Sequence, residues 1–487
     1  MISKRLISSN LIVIGILAIG FFLRFYRISQ NLIFNAEMGY DYLAVIEILK
    51  GERTYLIGPQ TSHSWLALSP LFYWILAILL PIGNYEPVVV AYFMAFIGSA
   101  AILFLYFLLN KFINKRTALV GTYLMAISPL WIDGARGSRF NFIAAILFMP
   151  FVYFLIKGIN DKGKSLFYCG LFLGMTYSFF PTIIVQLPAA LVILFIKRKN
   201  ILPINIIKFI FAVLIINVPF LIFNCINKFS MITNLLLWIP YRTLGFFGIY
   251  GGNEVNLDVA QKNVRSLFIF IRESIIVNSN AFGIVIFFLI SVFFILKVGT
   301  EVKRENNFWL VILILFLTSY IGLFVHGNPP QHYYLSVYPI PLIVFAFFID
   351  YLANHKIGRL CSILILVAIS IINFKYYFSQ KWFYKAENKV DVENYFVPFK
   401  LQEEIILSIK EDNDSNNIKL ARYGHLDFFN RDFSDNYIYL LQLQEINITG
   451  KANVTYTIYE GSKYIPDKYD NEVYLNREAG ILVSKSK

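Results

Sequence analysis

Four carboxylates crowd one short stretch of the chain: Glu37, Asp41, Glu47 and Glu52. Glu37 and Asp41 are four apart and share a face if Phe34 to Lys50 is helical. Tyr40, Leu43, Ile46 and Leu49 fall at the apolar spacing of such a helix. Two like charges on one face repel, which can lift one of the pair toward the range of a general base at neutral pH. A solvated loop helix also carries acids with no chemistry attached. A second element, Asp133-Gly-Ala-Arg136-Gly-Ser-Arg139-Phe-Asn141, offers two guanidiniums, which bind phosphate bidentately and stay charged at any working pH. Arginines at the end of an apolar run also reach for lipid headgroups. A third stretch, His326 to Tyr334, brings imidazole and phenol donors at His332 and Tyr333 that suit a phosphate or a sugar hydroxyl, although tyrosines of this kind also form interfacial belts. A fourth, with Trp238, Tyr241 and Arg242 ahead of the glycine-rich Gly245 to Gly252, suits either a lid that stacks on substrate or an ordinary long loop.

A metal site of the histidine-rich kind is not expected, because none of the five histidines pairs at i, i+3 or i, i+4. A divalent cation held by Glu37 and Asp41 stays open. Cys169, Cys225 and Cys361 all lie in apolar runs and form no disulfide framework. The phosphate-cradling GxxxxGKS, the GxSxG elbow and HExxH are absent, which leaves ATP-driven pumping and serine or zinc proteolysis without support.

The elements that must position these groups are membrane helices. The 487 residues are 57% hydrophobic, 17% aromatic and only 15% charged, with a mean hydropathy of +0.61. Soluble domains carry about 25% charged residues. A soluble enzyme, a nucleic-acid binder and a fibrous protein are excluded. Candidate spans are 7–25, 87–109, 117–132, 141–157, 165–180, 182–196, 204–226, 281–298, 308–325, 334–352 and 360–376. The first follows Lys4 and Arg5 and reads as a retained signal anchor. The run 66–82 is ambiguous. If it crosses, the basic loops around Lys111, Lys157, Lys197, Lys297 and Lys356 fall opposite Lys4 and Arg5, against the positive-inside rule. If it lies in the interface or re-enters, as Ser69-Pro70 and Pro81-Ile82-Gly83 suggest, all of them fall on the N-terminal side. The expectation is therefore a polytopic α-helical protein of the plasma membrane with about eleven transmembrane helices over residues 1–376 and a cytoplasmic N-terminus. The acids lie in an outer loop, 26–86.

Residues 377–487 change composition, holding 17 of the 30 acidic residues. They read as a small extracytoplasmic α/β domain with a helix near 393–410 and strands at 417–423, 436–443, 453–459 and 479–485.

The stretch Phe34-Asn-Ala-Glu37-Met-Gly-Tyr-Asp41 to Lys50-Gly, then Leu56-Ile-Gly-Pro59 to Ser62, then Leu68-Ser-Pro-Leu-Phe-Tyr-Trp74, resembles the first outer loop of GT-C superfamily glycosyltransferases. The nearest branch is the bacterial and archaeal, family 39-like relatives of the protein O-mannosyltransferases and the lipid A aminoarabinose transferase. Ser128-Pro129 with Arg136, and His332 to Pro339, fall where that group has similar segments. The resemblance spans about residues 7–376. It implies transfer of a sugar from a polyprenyl-phosphate donor to a lipid, glycan or protein acceptor on the outer face, with inversion at the anomeric carbon. Glu37 stands at the position of the group's catalytic Asp, one methylene longer, and Asp41 matches a second acid seen in one branch. Arg136, Arg139, His332 and Tyr333 are then candidates for the donor phosphate, and Trp238, Tyr241 and Arg242 for a substrate loop. The rival class is a transporter or flippase of glycolipid precursors. It fits less well, because such proteins carry charge at mid-membrane whereas these acids cluster in loops; an inactive scaffold of the same fold is a third reading.

Overall fold

The computed structural model describes residues 2–486 apart from 62, 138–139, 182, 250–256, 278–279, 305, 327–328, 330, 380–382, 384–396, 414–416 and 425–432. The chain opens with α1 (Ile2–Phe25), α2 (Ala36–Lys50) and α3 (Leu71–Ile82), then α4 (Val88–Phe112), α5 (Lys115–Ile127), α6 (Pro129–Arg136) and α7 (Phe142–Asn160). There follow α8 (Leu166–Thr176), α9 (Ile183–Ile196), α10 (Pro203–Ile216), α11 (Val218–Ile226), α12 (Ser230–Phe246) and α13 (Leu257–Ile275). The helical part closes with α14 (Asn280–Phe293), α15 (Gly299–Lys303), α16 (Asn307–His326), α17 (Pro339–Leu352) and α18 (Lys356–Phe374). Each expected span coincides with one of these helices or a bent pair. Among the described residues five helices are long and apolar enough to cross a membrane, seven if each of two bent pairs is one span. Shorter apolar helices, α3 among them, add to these.

Both bends follow from proline and a polar side chain. α5 turns by 56° into α6 where Ser128 precedes Pro129 and its hydroxyl donates to the Ser274 carbonyl at 2.6 Å. α10 turns by 67° into α11 beside Pro219, where the Asn217 amide donates to the carbonyls of Val213 (2.9 Å) and Gly174 (3.1 Å).

The C-terminal domain carries α19 (Phe399–Asp412), β1 (Asn417–Tyr423), α20 (Asp435–Leu443), β2 (Asn447–Ile448), β3 (Thr455–Glu460), β4 (Asn471–Asn476) and β5 (Ile481–Ser486). The sheet order is β2-β1-β3-β5-β4. β1 runs parallel to β2 and β3, while β5 pairs antiparallel with β3 and β4. The expected α/β character holds, with one correction: residues 436–443 form a helix rather than a strand. Asn436, Tyr437, Leu440 and Leu441 are buried at helical spacing, so the packing surface overrides the strand preference of the tyrosines and isoleucine. The helix expected near 393–410 is α19, of which only Phe399 onward can be compared, residues 384–396 being outside the described set. β4 was not anticipated.

This domain sits against the first loop. Gly39 of α2 meets the backbone of Asp435 and Asn436 so closely that a Cβ there would lie 2.3 Å from the Asn436 nitrogen. Phe34, Tyr42, Phe399 and Tyr439 form an aromatic cluster with ring centroids 5.3–6.0 Å apart. Gln402 donates to the carbonyls of Phe34 and Val397, both at 2.8 Å, and accepts from Asn436 at 2.7 Å. Tyr439 donates to the Tyr85 carbonyl at 2.5 Å. Since Tyr73, near the start of α3, reaches α2, and Tyr85, just past its end, reaches the domain on α2, both ends of α3 lie on one side of the bundle.

Candidate active site

α2 is written into its flanks. The Asn35 side chain accepts from the Met38 amide at 3.1 Å and caps the N-terminus. Gly51 (φ +77°) ends the helix in the left-handed conformation that glycine tolerates. Between them the helix buries Ala36, Met38, Gly39, Asp41, Tyr42, Ala44 and Val45. Glu37 lies in the first turn and is exposed, where the helix dipole favours an acid.

Asp41 lies on the same side of the helix one turn further on and is only 6% exposed. Tyr73 of α3 donates its hydroxyl to Asp41 Oδ1 at 2.7 Å. Burial pushes the carboxyl up to about 7, with the Tyr73 hydrogen bond opposing and the Glu37 charge adding to the rise; Arg53 opposes it more weakly. The sequence offers no signal for Tyr73. It sits in the Ser69-Pro-Leu-Phe-Tyr-Trp74 segment, and only the packing of α3 on α2 brings it to Asp41. Arg53 closes the far side of α2: its guanidinium donates to Tyr40 Oη (3.2 Å), pairs with Glu47 (3.3 Å) and lies over the Tyr40 ring at 5.4 Å.

The arginines singled out for phosphate divide. Arg139 lies outside the described residues. Arg136 is buried and faces inward, donating to the carbonyls of Leu23 (3.0 Å), Arg24 (3.2 Å), Tyr26 (2.7 Å) and Arg27 (3.3 Å). These are carbonyls at the C-terminal end of α1 that a helix leaves unsatisfied, and the guanidinium also stacks at 4.6 Å on Phe383. Its place in the fold is thus a clamp on α1, rather than an open cation at a span mouth.

The other candidates gather around His63, which the sequence marks only as a loop residue. His63 stacks on Trp65 at 5.3 Å and meets Trp238 edge-on at 5.5 Å. Arg242 lies 5.7 Å over Trp238. Burial, and then the Arg242 charge, holds the His63 imidazole below its ordinary value. The same guanidinium feels the Tyr333 phenol. Tyr333 and His332 pack on Phe180 at 5.7 and 6.1 Å, and Tyr241 is exposed. His63, Trp238, Arg242 and Tyr333 are therefore neighbours drawn from three separate segments, the turn between residues 58 and 68, α12 and the short helical stretch before α17. His63 rides on the turn between residues 58 and 68, pinned by the Gln60–Ala67 bridge and by the Tyr177 hydroxyl donating to the Ala67 carbonyl at 3.1 Å.

No group of three or more His, Cys, Asp and Glu side chains stands together among the described residues.

Membrane glycosyltransferases of the GT-C superfamily are what this chain is similar to, over part of its sequence and in its fold. Residues 67–223 match the family described as dolichyl-phosphate-mannose-protein mannosyltransferase, and the recognition made from the first-loop residues holds. Among solved structures, ArnT from Cupriavidus metallidurans bound to undecaprenyl phosphate is similar over 97% of each chain, with a TM-score of 0.60 and 11% identity. The Archaeoglobus fulgidus oligosaccharyltransferase in complex with Zn and sulfate is similar over 92% of this chain and 68% of its own, with a TM-score of 0.56 and 15% identity. AglB from the same organism, in complex with an inhibitory peptide and a dolichol-phosphate, covers 93% and 69%, with a TM-score of 0.54 and 13% identity. At these identities the likeness is one of fold. A search of curated proteins finds no match.

Proposed function

We propose that this protein transfers a sugar from a polyprenyl-phosphate-linked donor to an acceptor hydroxyl at the outer membrane face, with inversion, using a carboxylate of α2 as base. The observation that carries the reading is Asp41: a carboxyl with a raised pKa of about 7, held by Tyr73 at 2.7 Å, in the loop that resembles the GT-C catalytic loop. The solved relatives' complexes with undecaprenyl phosphate and dolichol-phosphate support the donor class.

In the step itself the acceptor oxygen attacks the anomeric carbon and the carbon–oxygen bond to the donor phosphate breaks. The acceptor proton passes to the carboxylate, and polyprenyl phosphate leaves with the electron pair. The resemblance assigns the base to Glu37; the environment favours Asp41, because a base works best when its pKa lies near the working pH. Glu37 then lies one turn away and keeps that pKa high. Were a divalent cation bound, Glu37 and Asp41 are the residues that would hold it, and it would supply neutralising charge to the leaving phosphate. Otherwise the charge falls to the Arg242, His332 and Tyr333 group, the arginine being the cation among them at any working pH.

The topology that serves this reaction has eleven spans, a cytoplasmic N-terminus, and α2 and the C-terminal domain outside. The placement of both ends of α3 on the domain side supports it. The deciding experiment is a membrane assay with radiolabelled polyprenyl-phosphate sugars. Transfer that Asp41→Asn lowers on the order of 10²–10⁴-fold, the usual share of general-base catalysis, with inverted configuration in the product, supports the reading. Donor translocation without transfer would replace it by the flippase.

A further inference from the structure

Between the C-terminal end of α7, the stretch before α10 and the start of α16 lies a cavity of about 610 Å³ whose lining includes Asn160, Lys162, Lys199, Asn200, Leu202 and Asn307. It lies at the far end of α7, whose 19 residues carry the chain about 28 Å from the α1–α6 junction. Two features make it electropositive. First, Lys162 and Lys199 line it and have no ion-pair partner among the described residues, and Asp161 is the one carboxylate between Lys157 and Lys208. That carboxylate is occupied by Ser165, whose hydroxyl donates to it at 2.5 Å and whose amide donates at 3.2 Å. On the neighbouring element Glu301 is likewise engaged, with Arg304 at 3.3 Å and Lys297 at 4.0 Å. Second, α10 and α16 begin at the cavity, so the positive ends of two helix dipoles meet there, offset in part by the C-terminal end of α7 at Asn160.

The walls are fixed rather than loose. Asn307 at the start of α16 donates to the Asn160 side chain at 2.8 Å, and Asn205 of α10 donates to the Lys162 carbonyl at 3.0 Å. Gly163 (φ +93°) lets the turn pass close over Asn205 and Ile201. From the mouth an apolar strip runs up α10 with Leu202 (54% exposed), Ile204 (52%), Ile207 (60%) and Phe211 (54%) turned outward. A headgroup in the cavity would have its chains beside that strip. We propose that the cavity binds the phosphate of an anionic phospholipid, with Lys162 and Lys199 as its charged contacts.

The test uses the full chain in detergent, with lipid binding read by native mass spectrometry and by the unfolding temperature. The probes are phosphatidylglycerol, phosphatidylcholine and inorganic phosphate. The expected result is retention of phosphatidylglycerol over phosphatidylcholine, an apparent affinity falling about tenfold in Lys162→Gln/Lys199→Gln, and recovery in Lys162→Arg/Lys199→Arg, which shows that the charge and not the fold was lost. Protection by millimolar inorganic phosphate equal to that by phosphatidylglycerol would overturn the lipid as occupant. Equal phosphatidylglycerol binding in wild type and the glutamine variant, or no preference between the two lipids, would overturn the site.

Discussion

At the residue scale the decisive quantity is the proton on Asp41. If Asp41 is the base, kcat/KM for sugar transfer rises with pH along a limb centred near 7, where the carboxyl ionises. Glu37→Gln removes a like charge from beside it and moves the limb to lower pH; a limb that stays in place while activity collapses returns the base to Glu37. The same shift has a stability sign. The folded state holds the Asp41 proton more tightly than the unfolded chain, whose carboxyl titrates near 3.8. Stability therefore falls as pH rises from about 4 to about 7 and stays low above that. The separation between those values sets an upper bound of roughly 4 kcal/mol. Asp41→Asn, whose amide oxygen still accepts from Tyr73, should be inactive yet unfold at a higher temperature than wild type at pH 8, the difference vanishing near pH 4. Arg136 behaves in the opposite sense. Arg136→Ala leaves the carbonyls of Leu23, Arg24 and Tyr26 without this buried donor, while that of Arg27 keeps its bonds from Asn31, so its unfolding temperature should drop by the equivalent of about 2–4 kcal/mol. Its KM for donor should stay unchanged in the folded fraction. A raised KM with unchanged stability would restore the phosphate role. The carboxylates and the arginines were legible as chemistry because their types are rare in this chain. Their partners were not, since Tyr73 and the α1 carbonyls become neighbours only through packing.

At the element scale the docking of α2 on α20 hangs on Gly39. A methyl group there meets Asn436 and Asp435 backbone atoms, which cannot swing aside as a side chain can. Gly39→Ala should force the two helices apart at a cost of about 1–3 kcal/mol, seen as faster proteolysis of the C-terminal domain together with reduced transfer. Unchanged proteolysis would mean the contact relaxes without undocking. The ends of α2 could be read from Asn35 and Gly51, because caps are local chemistry. The identity of α20 could not, because Tyr437, Ile438 and Tyr439 have strand preferences that only the aromatic seam with Phe34 and Tyr42 overrules. β4 escaped notice for a related reason: Asn471 to Asn476 is mostly polar or half exposed and is recruited by pairing with β5.

At the scale of the whole molecule the basic loops argue for eleven spans, and α3 is the element on which the count turns. Cysteines placed at 84 and 114, both exposed positions, in a background with Cys169, Cys225 and Cys361 replaced by serine, should differ toward an impermeant reagent in intact cells. Residue 84 should react and residue 114 be protected. Protection at 84 together with reaction at 114 would make α3 a crossing helix. The helical bundle was readable because apolar runs of that length have few other uses. The angles of the bends at Ser128 and Asn217 were not, because apolar length gives a span's extent and not its direction.

The close approach of Gly39 to Asn436 also sets an order in time. These residues are separated by almost 400 positions, and at roughly 5–20 residues per second about 20–80 s of synthesis elapse between them. Throughout that interval α2 waits with Phe34, Gly39 and Tyr42 uncovered. A ribosome stalled before α20 would leave a nascent chain with most of its helices threaded into the bilayer and the seam between the first loop and the final domain still open, so that seam is the last part of the fold to close.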